Sequence, residues 1–250
     1  MDQRLVKTML DVDEQHWWYR GRRQIIRAEL DQLPLPSDTQ ILDAGCGSGR
    51  TLEELAHYGT VAGLELNPDA AEVARGRGCG EVHVGRLEEL PWPPDTFELI
   101  TCLDVIEHLR DDRAALRELR RVSRPDGWLL ATVPAYPALW SYHDEANHHY
   151  RRYGRATLRA AVADAGWRLE RMTSFNMLLF PPAAVVRLAQ RRLRRNGGGR
   201  KEQRFDLHLG PAWLNEILER PLRAEANWLR RGHTLPTGLS LLAVLQNVGG

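Results

Sequence analysis

Short apolar runs of strand length alternate with amphipathic stretches through the middle of the chain. Residues before Gln40 read as helical, and 11–30 carries a dense aromatic and basic cluster, His16-Trp17-Trp18-Tyr19-Arg20-Gly21-Arg22-Arg23. Two prolines at 34 and 36 break that pattern. Strands are then expected from Ile41, over 60–65, over 81–84, over 97–103, and over 128–133 after a Pro125-Asp126-Gly127 turn. A helix over 51–57 follows the first. Strand-helix alternation of this kind predicts an α/β fold built on a parallel sheet with crossover helices. A sixth strand is expected at 169–174 and a seventh at 238–246. About sixty residues separate these two, and a loop that long needs structure of its own. It holds an apolar stretch at 177–186 interrupted by Pro181-Pro182, then Arg187, Arg191, Arg192, Arg194 and Arg195, a glycine tip at 197–199, and a second helical piece at 211–229.

The first strand runs into Ile41-Leu42-Asp43-Ala44-Gly45-Cys46-Gly47-Ser48-Gly49. Glycines at 45, 47 and 49 let the backbone turn sharply and approach a ligand closely. A dinucleotide loop would need glycine at 50, where Arg50 stands, and Asp43 would repel a pyrophosphate. The same carboxylate would welcome an ammonium, which S-adenosylmethionine carries. The second expected strand ends in Glu65, where such folds place an acid for two ribose hydroxyls. The loop therefore reads as a site for S-adenosylmethionine rather than NAD.

Composition narrows the picture without redirecting it. With 43% hydrophobic and 27% charged residues, the chain has the make-up of a globular protein of one α/β domain. A net charge of +1 gives no global reason to expect nucleic-acid binding. Cys46, Cys79 and Cys102 form no disulfide framework, which fits a reducing cytoplasm. No signal-peptide core and no membrane-spanning apolar run are expected.

The segments ILDAGCGSG, VAGLELNPDA, LEELPWPPDTFELITCLDVIEHL and LRELRRVSRPDGWLLATVP together resemble the class I S-adenosylmethionine-dependent methyltransferases. The likeness is to the small-molecule group that includes the ubiquinone-biosynthesis enzymes, and it covers residues 40–134. It implies a Rossmann-like, seven-stranded, mostly parallel sheet with helices on both faces. It also implies one methyltransferase domain: an N-terminal helical lid (1–36), a cofactor-binding core (37–175), a helical cap insertion (176–235) and a final strand (236–250). Asp43, Gly45 and Gly47 would then face the methionine end of the cofactor, Glu65 the ribose, and Leu66 with Leu87 the adenine. Arg86 stands where relatives often carry an acid for the adenine amine, and Glu88 is the candidate replacement. Asp104 would line the cofactor or cap a helix. His108 would be a surface histidine or a proton acceptor beside the methyl. Arg22 or Arg23 would pair with the methionine carboxylate.

The segment from Trp140 to Tyr153 sits in the loop expected to cover the acceptor and carries His143, Asp144, Glu145, His148 and His149. A polar substrate pocket or a proton relay through His143 with Asp144 is the expected use, with an ordered surface loop whose tyrosines and arginines pack over the sheet as the alternative. A metal site is not expected, because methyl transfer to a hydroxyl needs none. The leading expectation is thus methyl transfer from S-adenosylmethionine to a small molecule, at oxygen, with His108, His143 and His148 as candidate bases. A non-catalytic S-adenosylmethionine-binding partner or sensor and an NAD-dependent oxidoreductase are the competing readings. The 176–235 insertion either caps the substrate or touches an anionic membrane to collect a lipid-linked acceptor.

Overall fold

The computed structural model describes residues 12–186 and 211–249, the side chain of His143 excepted. Seven strands form one sheet: β1 (Thr39–Ala44), β2 (Gly59–Glu65), β3 (Gly80–Val84), β4 (Phe97–Leu103), β5 (Ser123–Pro134), β6 (Arg168–Phe175) and β7 (Ser240–Gln246). Their order is β3-β2-β1-β4-β5-β7-β6, with β7 antiparallel to both neighbours and the remaining pairs parallel. The chain winds outward from β1 to β3, then returns to β4 on the other side of β1. Ligands of open α/β sheets bind outside the carboxyl ends of the strands at such a reversal. Asp43 and Asp104 stand at that point.

Helices α1 (Trp17–Leu30), α2 (Arg50–Leu55), α3 (Pro68–Gly76), α4 (Asp112–Val122), α5 (Tyr142–Ala146), α6 (Arg155–Asp164) and α7 (Ala212–Arg230) surround the sheet. Their starts follow local chemistry. The Asn67 side chain accepts from the N–H groups of Asp69 and Ala70, with Pro68 in the first turn of α3. Asp111 accepts from Ala114 N to begin α4. Such caps each contribute about 0.5–2 kcal/mol. One apolar layer joins Leu42, Ile100 and Leu129 to Leu116 and Leu119 of α4 and Leu158 of α6. The opposite layer joins Ile41, Leu99 and Leu130 to Ile25 of α1, Leu52 of α2 and Leu222 of α7. The central strands are apolar on both faces because helices cover both.

Two expectations need correction. The helix foreseen over 11–30 is interrupted at His16, whose ring accepts from Trp18 N and so caps α1. The Pro125-Asp126-Gly127 turn lies within β5: the register passes from Phe97 opposite Ser123 to Leu99 opposite Trp128, which leaves 124–127 as a bulge with Asp126 at φ 63°. Helices α1 and α7 pack on each other and on the sheet. Ile25, Leu30, Leu222 and Leu229 are completely or almost completely buried, Trp17 N donates to Asn215 Oδ1, and Gln24 bonds Glu219. The two helices together form a layer of the core, where truncating a buried leucine costs about 2–5 kcal/mol. The arginine run and glycine tip lie outside the described residues. No helix among the described residues is long and apolar enough to cross a membrane.

Candidate active site

After β1 the chain turns at Gly45 (φ 91°), where a Cβ would collide with Val105. The N–H groups of Gly45 and Cys46 both donate to Leu64 O, at 2.8 and 3.0 Å, which ties the loop to β2. Gly47 (φ 54°) has no atom within 4 Å of the position a Cβ would take; its backbone faces open space. The Glu65 carboxylate accepts from Gly47 N at 2.9 Å and from Asn67 N at 2.8 Å. Glu65 therefore fixes the glycine loop against the start of α3 and stands at the end of β2.

Asp43 is 1% exposed. Its Oδ1 accepts from Thr101 Oγ1 at 2.7 Å, while Oδ2 is buried with no partner among the described residues. Burial pushes the carboxyl up to about 6, and the Thr101 hydrogen bond opposes that rise. A buried anion that lacks a partner is costly, and a ligand ammonium would supply one. The donor set thus fits S-adenosylmethionine: an acid for the ammonium, open backbone at Gly47, and Glu65 for the ribose. Leu66 is 64% exposed and offers an apolar face. Leu87 is buried in the core beside Leu64 and Leu90, so the expected adenine sandwich has unequal sides. Arg86 and Glu88 pair with each other at 3.3 Å.

Asp104 follows β4 at φ 58° and bonds Arg22 of α1 at 2.6 Å. It caps no helix. The next element is a single 3-10 turn, Ile106–His108, entered through Val105, and a left-handed residue cannot adopt the extended backbone of an N-cap. Arg22 reaches the crevice through this pair, whereas Arg23 is turned away to Asp13. Asp13 also bonds the Ser48 hydroxyl, so the segment entering α1 lies directly on the glycine loop.

Across the crevice, the loop after β5 is organised by a residue pair that the sequence did not single out. Asp144 is fully buried and accepts from Ser141 N (2.8 Å), Ser141 Oγ (3.1 Å) and Arg152 Nε (2.7 Å), with His149 Nδ1 at 3.0 Å. Burial alone would raise its carboxyl, but the bonds from His149 and Arg152 outweigh it and hold the group well below the usual carboxylate range. Among the described residues, the carboxylate expected to serve His143 bonds His149. The side chain of His143 lies outside the described residues. His148 is exposed, at φ 56°. The His149 ring meets His108 edge to face, centroids 4.5 Å apart. Burial and the neighbouring His149 both lower the His108 pKa. The aspartate and histidine are five residues apart and match no motif, which left only composition as a signal.

Glu107 is 1% exposed and its Oε2 has no partner among the described residues. Burial, then Asp104, raises its carboxyl well above the ordinary value. Glu107, His108 and His149 each present one ligand atom, all within 4.8 Å of one another. This is a set that could hold a divalent cation, with Asp144 behind His149 as the outer-shell carboxylate that metal-bound imidazoles commonly carry.

Comparison with known proteins bears on the domain and its fold. A family model described as a methyltransferase domain matches residues 42–131. The ubiquinone biosynthesis O-methyltransferase of Xanthomonas axonopodis pv. citri is 28% identical over 190 residues, 68% of this chain and 77% of that one. Its namesake from Thiobacillus denitrificans is 29% identical over 170 residues, 60% of this chain and 72% of that one. Among solved structures, the methyltransferase in a complex with the Trm112 activator of Haloferax volcanii has a TM-score of 0.64 at 20% identity, with 99% of this chain and 96% of that one covered. The cyclase SpnF has a TM-score of 0.58 at 17% identity, covering 93% and 83%. The likeness to these two structures concerns the fold. With its glycine loop, its sheet order and the family model matching residues 42–131, the chain carries a methyltransferase domain of the class I, S-adenosylmethionine-dependent type.

Proposed function

We propose that this methyltransferase acts on a hydroxyl of a small-molecule acceptor, and that the loop after β5 removes the hydroxyl proton. The observation that carries the reading is the Asp144-oriented His149, packed against His108 on the same edge of the sheet as the glycine loop. Asp43 and Glu65 hold the cofactor's ammonium and ribose. The cofactor supplies an electrophilic methyl on a sulfonium, a good leaving group. The chain's own work is to align the acceptor, exclude water and accept one proton. A lowered His108 pKa keeps that imidazole neutral, and therefore basic, near pH 7. Asp144 keeps His149 in one orientation in the manner of a triad carboxylate. His143 and His148 belong to the same loop and are the other candidate bases. The O-methyltransferase names of the two relatives support transfer to oxygen.

Incubation with tritiated-methyl S-adenosylmethionine and pooled small metabolites, read by product mass spectrometry, tests the proposal. A product carrying a new O-methyl group is expected. Tight binding of S-adenosylhomocysteine (SAH) without transfer to any acceptor would instead favour a non-catalytic binding role. Exposed Leu178, Val185, Val186, Trp213 and Ile217 flank the arginine-rich stretch and support a peripheral membrane contact for a lipid-linked acceptor. Sedimentation with anionic vesicles at low and high salt tests that contact.

A further inference from the structure

One turn of helix, residues 12–15, precedes α1. His16 separates the two helical pieces with an extended backbone, φ −71° and ψ 128°, so the turn and α1 are distinct bodies joined at one residue. They are held very differently. Helix α1 is fixed in the core through Ile25, Ile26 and Leu30. Its Gly21 lies so close to α7 that a Cβ there would come within 2.3 Å of Leu222 Cδ1. The turn buries one apolar side chain, Val12, and is otherwise held by charge.

Asp13 carries most of that hold. Its Oδ2 accepts from the Ser48 hydroxyl, and its carbonyl and Oδ1 accept from Arg23 Nη1 at 2.8 and 3.2 Å. The exposed Glu14 lies 3.7 Å from Arg77 Nη1. Arg77 in turn donates from Nε to Ser48 O at 2.7 Å and pairs with Glu53 of α2 at 3.0 Å. Both acids of the turn therefore converge on Ser48, which is buried beneath them. Ser48 is one residue beyond Gly47, whose backbone faces open space. Ion pairs at a surface hold weakly and weaken with salt. An element with little buried apolar area opens before the rest of a fold does.

We infer that residues 12–15 form an electrostatic latch over the glycine loop, hinged at His16, whose release admits and discharges the cofactor. The inference rests on the assignment of that loop to S-adenosylmethionine. On release α1 stays in the core and only the turn leaves. A latch that opens equally with the site full or empty governs the speed of exchange and not the affinity. The competing explanation is that the turn is a fixed part of the wall, whose ion pairs only stabilise the fold.

Stopped-flow mixing with SAH, followed by tryptophan fluorescence at low and high sodium chloride, separates the two. In the parent, salt should accelerate association and dissociation alike. Asp13→Ala should speed both about tenfold at low salt, as loss of one charge-assisted hydrogen bond predicts. Its Kd should stay within about twofold of the parent, and most of the salt dependence should vanish. Glu14→Gln, at an exposed position where folding is not at stake, should move both rates the same way by about twofold. Parent rates in Asp13→Ala, or in Glu14→Gln should the first variant not fold, overturn the latch. Faster dissociation alone, with a weaker Kd, overturns it too, since Asp13 would then belong to the wall that holds the ligand. Failure of SAH to bind the parent in calorimetry would instead overturn the cofactor reading beneath it.

Discussion

On the β1–β2 side of the crevice, the contacts that shape the site are made largely by backbone. Gly45 and Cys46 donate to Leu64 O, and Gly47 and Asn67 donate to Glu65. On the β4–β6 side they are made by side chains drawn from distant parts of the chain: Arg22 to Asp104, Arg152 and His149 to Asp144, Glu225 to the start of 176–178. A backbone cradle suits what every S-adenosylmethionine molecule has in common. Side-chain networks can be exchanged without altering the fold, so the second side is where one methyltransferase can differ from another.

Substitution of Glu65 should produce the largest effect. In the proposed role of Glu65, Glu65→Ala would remove up to two charge-assisted hydrogen bonds to the ribose and release the loop, so SAH affinity in calorimetry should fall at least about a hundredfold. Gly47→Val tests the same side by another route. Its Cβ meets no protein atom, so affinity should be lost to steric conflict with the ligand, together with about 1–2 kcal/mol of stability from the left-handed backbone. Unchanged SAH binding in both variants would break the assignment of this side.

The opposite side should respond in turnover rather than cofactor affinity. Asp144→Asn keeps the shape of the carboxylate but not its charge, and should lower turnover on an identified acceptor about a hundredfold. SAH affinity should stay at the parent value. A loss of both would mean that the two sides are one cooperative unit.

Acidity sharpens the contrast. The Asp43 carboxyl lies near 6, raised by burial, and an ammonium needs the ionised form. SAH affinity should therefore be constant above pH 7 and decline below about pH 6, by up to about tenfold per pH unit. Stability of the ligand-free protein should run the opposite way. A raised carboxyl favours the folded state at low pH and loses that contribution as pH rises through about 6. Both trends should flatten in Asp43→Asn. The smallest effect is expected from chelation: exhaustive EDTA treatment should leave turnover within about twofold, since imidazole can take a proton without a cation. Loss of activity restored by magnesium or zinc would recast Glu107, His108 and His149 as a metal centre.

The same division governs how much was legible in the sequence. Backbone recognition needs contiguous residues, so Asp43, the glycines and Glu65 stand in a readable motif and strand order follows from alternation. His149 could not be preferred over His143 or His148, because only the folded loop brings Arg152 and Ser141 to Asp144. The amphipathic pattern of α7 was visible, but Leu222, Ala226 and Leu229 recur at the same spacing whether a helix covers a substrate or a sheet. Nothing local shows that Asn176 is left-handed and buried; that follows from Glu225, forty-nine residues away.

The position of β7 imposes an order on assembly. Strands β1 to β5 pair through parallel ladders that can close as soon as residue 134 is available, whereas β6 has no sheet neighbour except β7. During synthesis the cofactor cradle can be complete while β6 waits unpaired for a strand about seventy residues further along, a long loop closure that slows its docking. The β6 end of the crevice is thus the last part to form. A nascent chain could gain the cofactor's stabilisation before it can admit an acceptor.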